Sequence, residues 1–191
     1  MSAIFPAAVE QTVARKELVA YIKVDDTWVP IGWHCTDSSM NVEIDTDTQK
    51  DILGNVFTNV STPELSQEFD PLPIRQNPQN VGVDKLQQLL HDQWMNQNFS
   101  GSYDTLIVYL YAGDFAANPK KYDAHRFPAS QIVPGDFGGS ADEPLNRPIT
   151  VHFGGAMEQG KATIVDGVVT YTKNNNALEQ LEQSERKIKT N

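Results

Sequence analysis

Residues 105–111 read Thr-Leu-Ile-Val-Tyr-Leu-Tyr. In an extended chain Thr105, Ile107, Tyr109 and Tyr111 share one face and Leu106, Val108 and Leu110 the other. A segment this β-branched and aromatic, apolar on both faces, predicts a strand in the middle of a sheet. Just upstream, Asp84 is a fitting helix N-cap, and Leu86, Leu89, Leu90 and Trp94 follow at helical spacing. That pattern predicts one helix of about three turns, with its Leu and Trp residues packed on a sheet face. Downstream, Ala112 to Asn146 is rich in Gly, Pro, Asp and Ala and reads as a long excursion with one short extended piece around Phe127 to Val133. Ile149–Phe153, Lys161–Val165 and Val168–Thr172 then read as closing strands, with Asp166-Gly167 supplying a type I′ turn.

The N-terminal half alternates in the same manner. A loose arm runs to about Ala14, after which Leu18 to Val24 and Trp28 to Trp33, separated by Asp25-Asp26, predict a first hairpin. Met40, Val42 and Ile44 alternate with Asn41, Glu43 and Asp45, so Met40 to Asp47 reads as one strand with its carboxylates on one side. Gly54-Asn55 can turn the chain into a returning strand, Val56 to Val60, giving a second, acidic hairpin. Four prolines make most of Ser61 to Gly82 extended or irregular, with Leu65 to Phe69 the plausible strand between them. The expected fold is mainly β: a sandwich or barrel of two packed sheets with one flanking α-helix, long loops and terminal arms. Its divisions are an N-terminal arm (1–15), a β-sandwich domain (16–173) and a polar C-terminal arm (174–191).

The chain has 191 residues, enough for one well-buried core, and its 39% hydrophobic and 21% charged residues are those of a folding protein. No run is long and apolar enough to span a bilayer, and no basic start leads into an apolar core, so neither membrane insertion nor a cleaved signal is expected. The net charge of −10 is unevenly placed. Asp37, Glu43, Asp45, Asp47, Asp51, Glu64, Glu68 and Asp70 crowd one stretch against Lys50 alone. Gripping nucleic acid needs clustered Lys and Arg, and this cluster has the opposite sign.

Catalytic and metal sites find no footing. His34 and Cys35 are neighbours in an extended segment and point to opposite faces, and His91, His125 and His152 are scattered. The single cysteine excludes an internal disulfide or a multi-cysteine zinc site. The run from Asp45 opens like a calcium loop but has Lys50 where glycine belongs and Val56 where the bidentate glutamate belongs. Neither a nucleophile elbow nor a phosphate-cradling glycine loop is present, so no enzyme and no cofactor is expected.

Tyr21-Ile22-Lys23-Val24, Trp28-Val29-Pro30-Ile31-Gly32 and above all Lys50-Asp51-Ile52-Leu53-Gly54-Asn55, in this order, resemble the N-terminal half of phage tail tube (major tail) proteins. The sequel is similar too: a Pro-containing extended segment, a helix ending near Trp94, the strand at 105–111 and closing strands with His152-Phe153. The resemblance implies a structural virion protein that polymerises as stacked hexameric rings into a hollow tube for DNA ejection. Its partners would be further copies of itself, the tape measure and the tail terminator, with DNA passing without being held, in the virion tail after assembly in the host cytoplasm. Under that resemblance Glu43, Asp45 and Asp47 are candidates to face the lumen, and Glu64, Glu68 and Asp70 to lie between subunits. Two alternatives share the β-rich plan. One is a tail-completion or head–tail joining protein; the other is a carbohydrate- or receptor-binding sandwich, for which Trp28 and Trp33 are the only local aromatic platform.

Overall fold

A computed structural model describes residues 14–32, 35–44, 46–50, 52–53, 55–60, 63–71, 85–136, 138, 145 and 147–174. After a 3-10 turn at Arg15–Glu17 the described elements are β1 (Leu18–Val24), β2 (Thr27–Pro30), β3 (Cys35–Glu43), β4 (Thr46–Lys50), β5 (Val56–Val60) and β6 (Glu64–Pro71). The helix α1 (Lys85–Asn96) follows, then β7 (Tyr103–Asp114), β8 (Lys121–Pro134), β9 (Ile149–Phe153), β10 (Glu158–Val165) and β11 (Val168–Lys173). The expected arm up to residue 13, Asp84, Gly54, His34, most of the Pro-rich segment and the tail from residue 175 lie outside the described residues.

Nine of these strands form one continuous antiparallel sheet. Its path is β2-β1-β7-β8-β9-β6-β3, with β10 on the other edge of β8 and β11 beyond it. The strand β8 carries the sheet from one layer to the other. Its first half lies between β7 and β10, whereas Gln131–Pro134 pair with β9. Between the layers, Ala20, Ile22 and Val29 of β1 and β2 meet Phe69, Ile132, Ile149 and Val151 of the second layer, with Leu86 and Leu90 of α1 closing the cluster. On the opposite face of β1 and β7, Tyr21, Leu106 and Val108 pack against Ala124, Ala162 and Val169. The first layer therefore curls until β2 and β11 come into contact.

This arrangement explains why residues 105–111 are apolar on both sides. Thr105, Leu106, Ile107 and Val108 are all fully buried, because β7 sits between β1 and β8 with a core on each face. Each such aliphatic side chain contributes about 1.5–3 kcal/mol of transfer free energy. The first hairpin forms as expected, with Asp25 and Asp26 at φ 46° and 61°, the positive values of a primed turn that matches strand twist. Asp166 and Gly167, at φ 50° and 78°, close β10 onto β11 likewise.

Three expectations are corrected. Much of the described part of the excursion from Ala112 is strand: β7 runs on to Asp114, and β8 is the longest strand of the described residues. Register shifts beside Tyr103–Thr105 and Tyr109–Gly113 break the alternation that would have marked it, and Pro128 sits at one of them. The strand expected from Met40 to Asp47 is interrupted after Glu43. β3 pairs with β6, and the returning strand Val56–Val60 pairs with the separate β4. Trp94 is not a core residue; it is 45% exposed and meets Phe99 edge-on, while Gln93 turns inward and donates from Nε2 to Tyr103 Oη at 2.7 Å.

Candidate functional site: an acidic sheet face, a projecting hairpin and an apolar groove

The second layer has one face in the core and one in water, and the register separates them. Gln67, Phe69, Ile149, Val151 and Ile132 point inward. Opposite parity puts Ser39, Asn41 and Glu43 of β3 beside Glu68, Ser66 and Glu64 of β6, and then Thr150 and His152 of β9 and Gln131 and Val133 of β8. No Lys or Arg occupies any of these paired outward positions. Glu43 and Glu64 stand directly opposite each other and are both exposed, a like-charge pair that costs the isolated chain stability. At the far end of the same face, Asp37, Glu68 and Asp70 line a hollow of about 250 Å³ with Ser38 and Thr150.

The structure thus regroups the carboxylates singled out in the sequence. Glu43 shares its face with Glu64 and Glu68, which sequence reading assigned elsewhere, and Asp70 follows them at the same parity on β6. Asp47 lies on β4 opposite Asn59 and accepts a 2.6 Å hydrogen bond from Gln49 Nε2. Asp45 is outside the described residues.

β4 and β5 form a two-stranded sheet of their own. All of β4 is exposed, and the connecting turn presents Ile52 and Leu53 at 103% and 81% exposure. A two-stranded hairpin without further strands is marginal in water, and among the described residues no third strand pairs with this one. At the opposite end of β3 an apolar groove of about 590 Å³ opens between the layers, walled by Leu18, Val19, Pro30, Cys35 and Phe69, with Arg15 and Lys16 on its rim. Arg15 is fixed there by donating to the backbone oxygen of Ser38 at 3.1 Å and to Ser38 Oγ at 2.5 Å. Nothing in the sequence periodicity announces this groove, because its walls come from strands far apart in the chain.

The remaining polar clusters read as structural. Arg126 forks onto Asp104 at 2.7 and 2.8 Å and reaches Glu158 at 3.1 Å, while Lys173 binds the other oxygen of Glu158 at 2.6 Å. This network ties β7, β8, β10 and β11 together at one end of the inner core. Lys173, then Arg126, hold the Glu158 carboxyl below its ordinary range, and the hydrogen bond to Asp104 raises the Arg126 guanidinium further. His125 Nδ1 lies 3.0 Å from Tyr109 Oη, and burial pushes its imidazole below the ordinary range against the pull of Asp123. Among the described residues no three His, Cys, Asp or Glu side chains come together as a metal site. Trp28 packs half-buried against the inner core and Trp33 lies outside the described residues, so Trp28 offers no flat sugar platform.

No family model and no curated protein matches the sequence. Among solved structures, a chain in the tail of the empty GTA particle, refined helically with C6 symmetry, superposes with a TM-score of 0.52 at 10% identity, covering 76% of this chain and 97% of that one. A chain of the native gene transfer agent virion gives 0.51 at 10% identity, over 78% and 98%. A chain from the extended sheath-tube complex of the PVC extracellular contractile injection system aligns at 14% identity over 79% and 93%, with a TM-score of 0.46. The curled two-layer sheet with one helix is therefore the fold of a subunit found in the tail of the gene transfer agent particle, shared over nearly all of that subunit's length.

Proposed function

We propose that this chain is a tail tube protein, a structural subunit that stacks as hexameric rings into a hollow tube through which DNA leaves the virion. The observation that carries the reading is the outward face of β3, β6 and β9, which bears Glu43, Glu64 and Glu68 without a single cation at its paired positions, on a fold shared with a tail subunit. Such a face suits the wall of a channel for a polyanion. Carboxylates repel phosphate, and the absence of Lys and Arg removes the counterion-releasing contacts that make proteins stick to DNA.

When copies of this layer join edge to edge around an axis, inward and outward residues alternate along each strand. Glu43, Glu64 and Glu68 then face the lumen, and Asp45 and Asp47, which follow closely in the sequence, add to its negative charge. Asp70, with Asp37 at the hollow near the start of β3, lies where a neighbour would meet the layer. The arms, 1–15 and 174–191, are the segments that reach adjacent subunits. Tape measure and tail terminator complete the partner set, in a tail assembled in the host cytoplasm. Among the described residues no helix is long and apolar enough to cross a membrane.

Negative-stain microscopy of concentrated protein tests the reading. Uniform hollow tubes are expected. Isolated rings that never lengthen would instead indicate a capping protein, and monomers at every concentration would indicate a binding module.

A further inference from the structure

The hairpin tip and the groove are complementary in chemistry and sit at opposite ends of one strand. Ile52 and Leu53 are exposed in the turn of the hairpin that the chain forms after leaving the C-terminal end of β3. The groove opens beside its N-terminal end, at Cys35, Asp37 and Ser38. Asp37 and Glu43 are six positions apart, about 20 Å of strand. The exposure of the tip shows that it does not occupy the groove of its own chain.

Charge favours the same match. The tip is flanked by Asp47 and Asp51 against Lys50, and the groove rim carries Arg15 and Lys16 against Asp37. We propose that Ile52 and Leu53 of one copy seat in the groove between Leu18, Pro30 and Phe69 of a second copy. This assignment rests on the tube reading and names the contact that lengthens the tube. Because knob and hole are different surfaces, the contact is heterologous: each copy offers a tip to the next and a groove to the previous one, and the series propagates instead of closing as a pair. Seating also supplies the marginal two-stranded hairpin with the packing that it lacks alone.

The chain's one cysteine makes the test direct, because Cys35 lies in the groove. In the Leu53→Cys variant, each copy carries one thiol at the tip and one in the groove. Mild oxidation of the assembled protein is expected to give a ladder of covalent dimers, trimers and higher species, abolished by adding Cys35→Ser. Tubes that form without a ladder overturn the contact and leave the tube reading standing. A ladder that survives Cys35→Ser, or stops at dimers, also overturns it. Absence of both tubes and ladder removes the two together. In parallel, Leu53→Asp should raise the concentration at which tubes appear about tenfold or more, as expected when an interface loses one buried leucine. An unchanged threshold in a variant that melts like the parent contradicts the proposal.

Discussion

Glu64→Lys sets the stability of the isolated chain against the proposed duty of its sheet face. Glu64 stands directly across from Glu43 in the antiparallel pair, with both side chains exposed on the outward face. Directly opposed residues place their Cβ atoms about 4.5–5.5 Å apart, close enough for charges to interact. Reversing one sign removes a repulsion and creates an attraction, each worth a few tenths to one kcal/mol, so the monomer should gain about 1 kcal/mol. For a chain of this size that raises Tm by roughly 2–4 °C. The gain should be largest at low ionic strength and mostly vanish near 1 M salt, where the screening length falls to about 3 Å. The double variant Glu43→Lys with Glu64→Lys restores a like-charge pair and should lose the gain. Thermal melts of the parent, of Glu43→Lys and Glu64→Lys singly and of the double variant, at two salt concentrations, give the coupling directly. Additive effects with no salt dependence would refute the register. The stabilised variant should also retain double-stranded DNA when assembled, whereas the parent should not.

Three further outcomes follow from the packing. At Gly160 an added methyl would run into the Thr172 carbonyl and the Tyr171 ring, whose hydroxyl donates to the Glu158 backbone oxygen at 3.1 Å; Gly160→Ala should therefore cost about 1–3 kcal/mol in denaturant melts. Gln67 is fully buried with its Oε1 lacking a partner, although Nε2 donates to Ser38 Oγ at 2.9 Å. Gln67→Met should leave stability equal or higher by up to about 1 kcal/mol, since it removes a desolvated acceptor. Burial lowers the imidazole of His125, so the unfolded chain binds that proton more readily. Its contribution is complete above about pH 6.5 and is lost as pH falls through that range, and His125→Gln should flatten that limb of the stability profile.

Much of the fold was legible because strands buried on one or both faces write their period into the chain. β1 with its Asp25-Asp26 turn, β7, β9, and β10–β11 with Asp166-Gly167 all follow from alternation and turn chemistry. β8 did not, since its buried residues run Ala124, Phe127, Ser130, Ile132. The register shift near Pro128 moves the inward parity midway, and a broken period reads as a loop. Trp94 misled for a related reason: at the last turn of α1 the helical stripe continues in sequence, yet the indole is largely exposed and Gln93 takes the inward place. The acidic face was half visible. Alternation put Glu43 on a charged side, but only strand pairing could reveal that its neighbours are Glu64 and Glu68, more than twenty residues away. The groove was invisible for the same reason, being made by β1, β3 and β6 together.

Helical reconstruction by cryo-electron microscopy of the assembled full-length chain tests the central claim. The account predicts a six-fold tube whose channel is lined by the outward face of β3, β6 and β9, with Glu43, Glu64 and Glu68 toward the lumen. A tube with that face on its outer surface, or a protein that assembles into nothing at all, would contradict it.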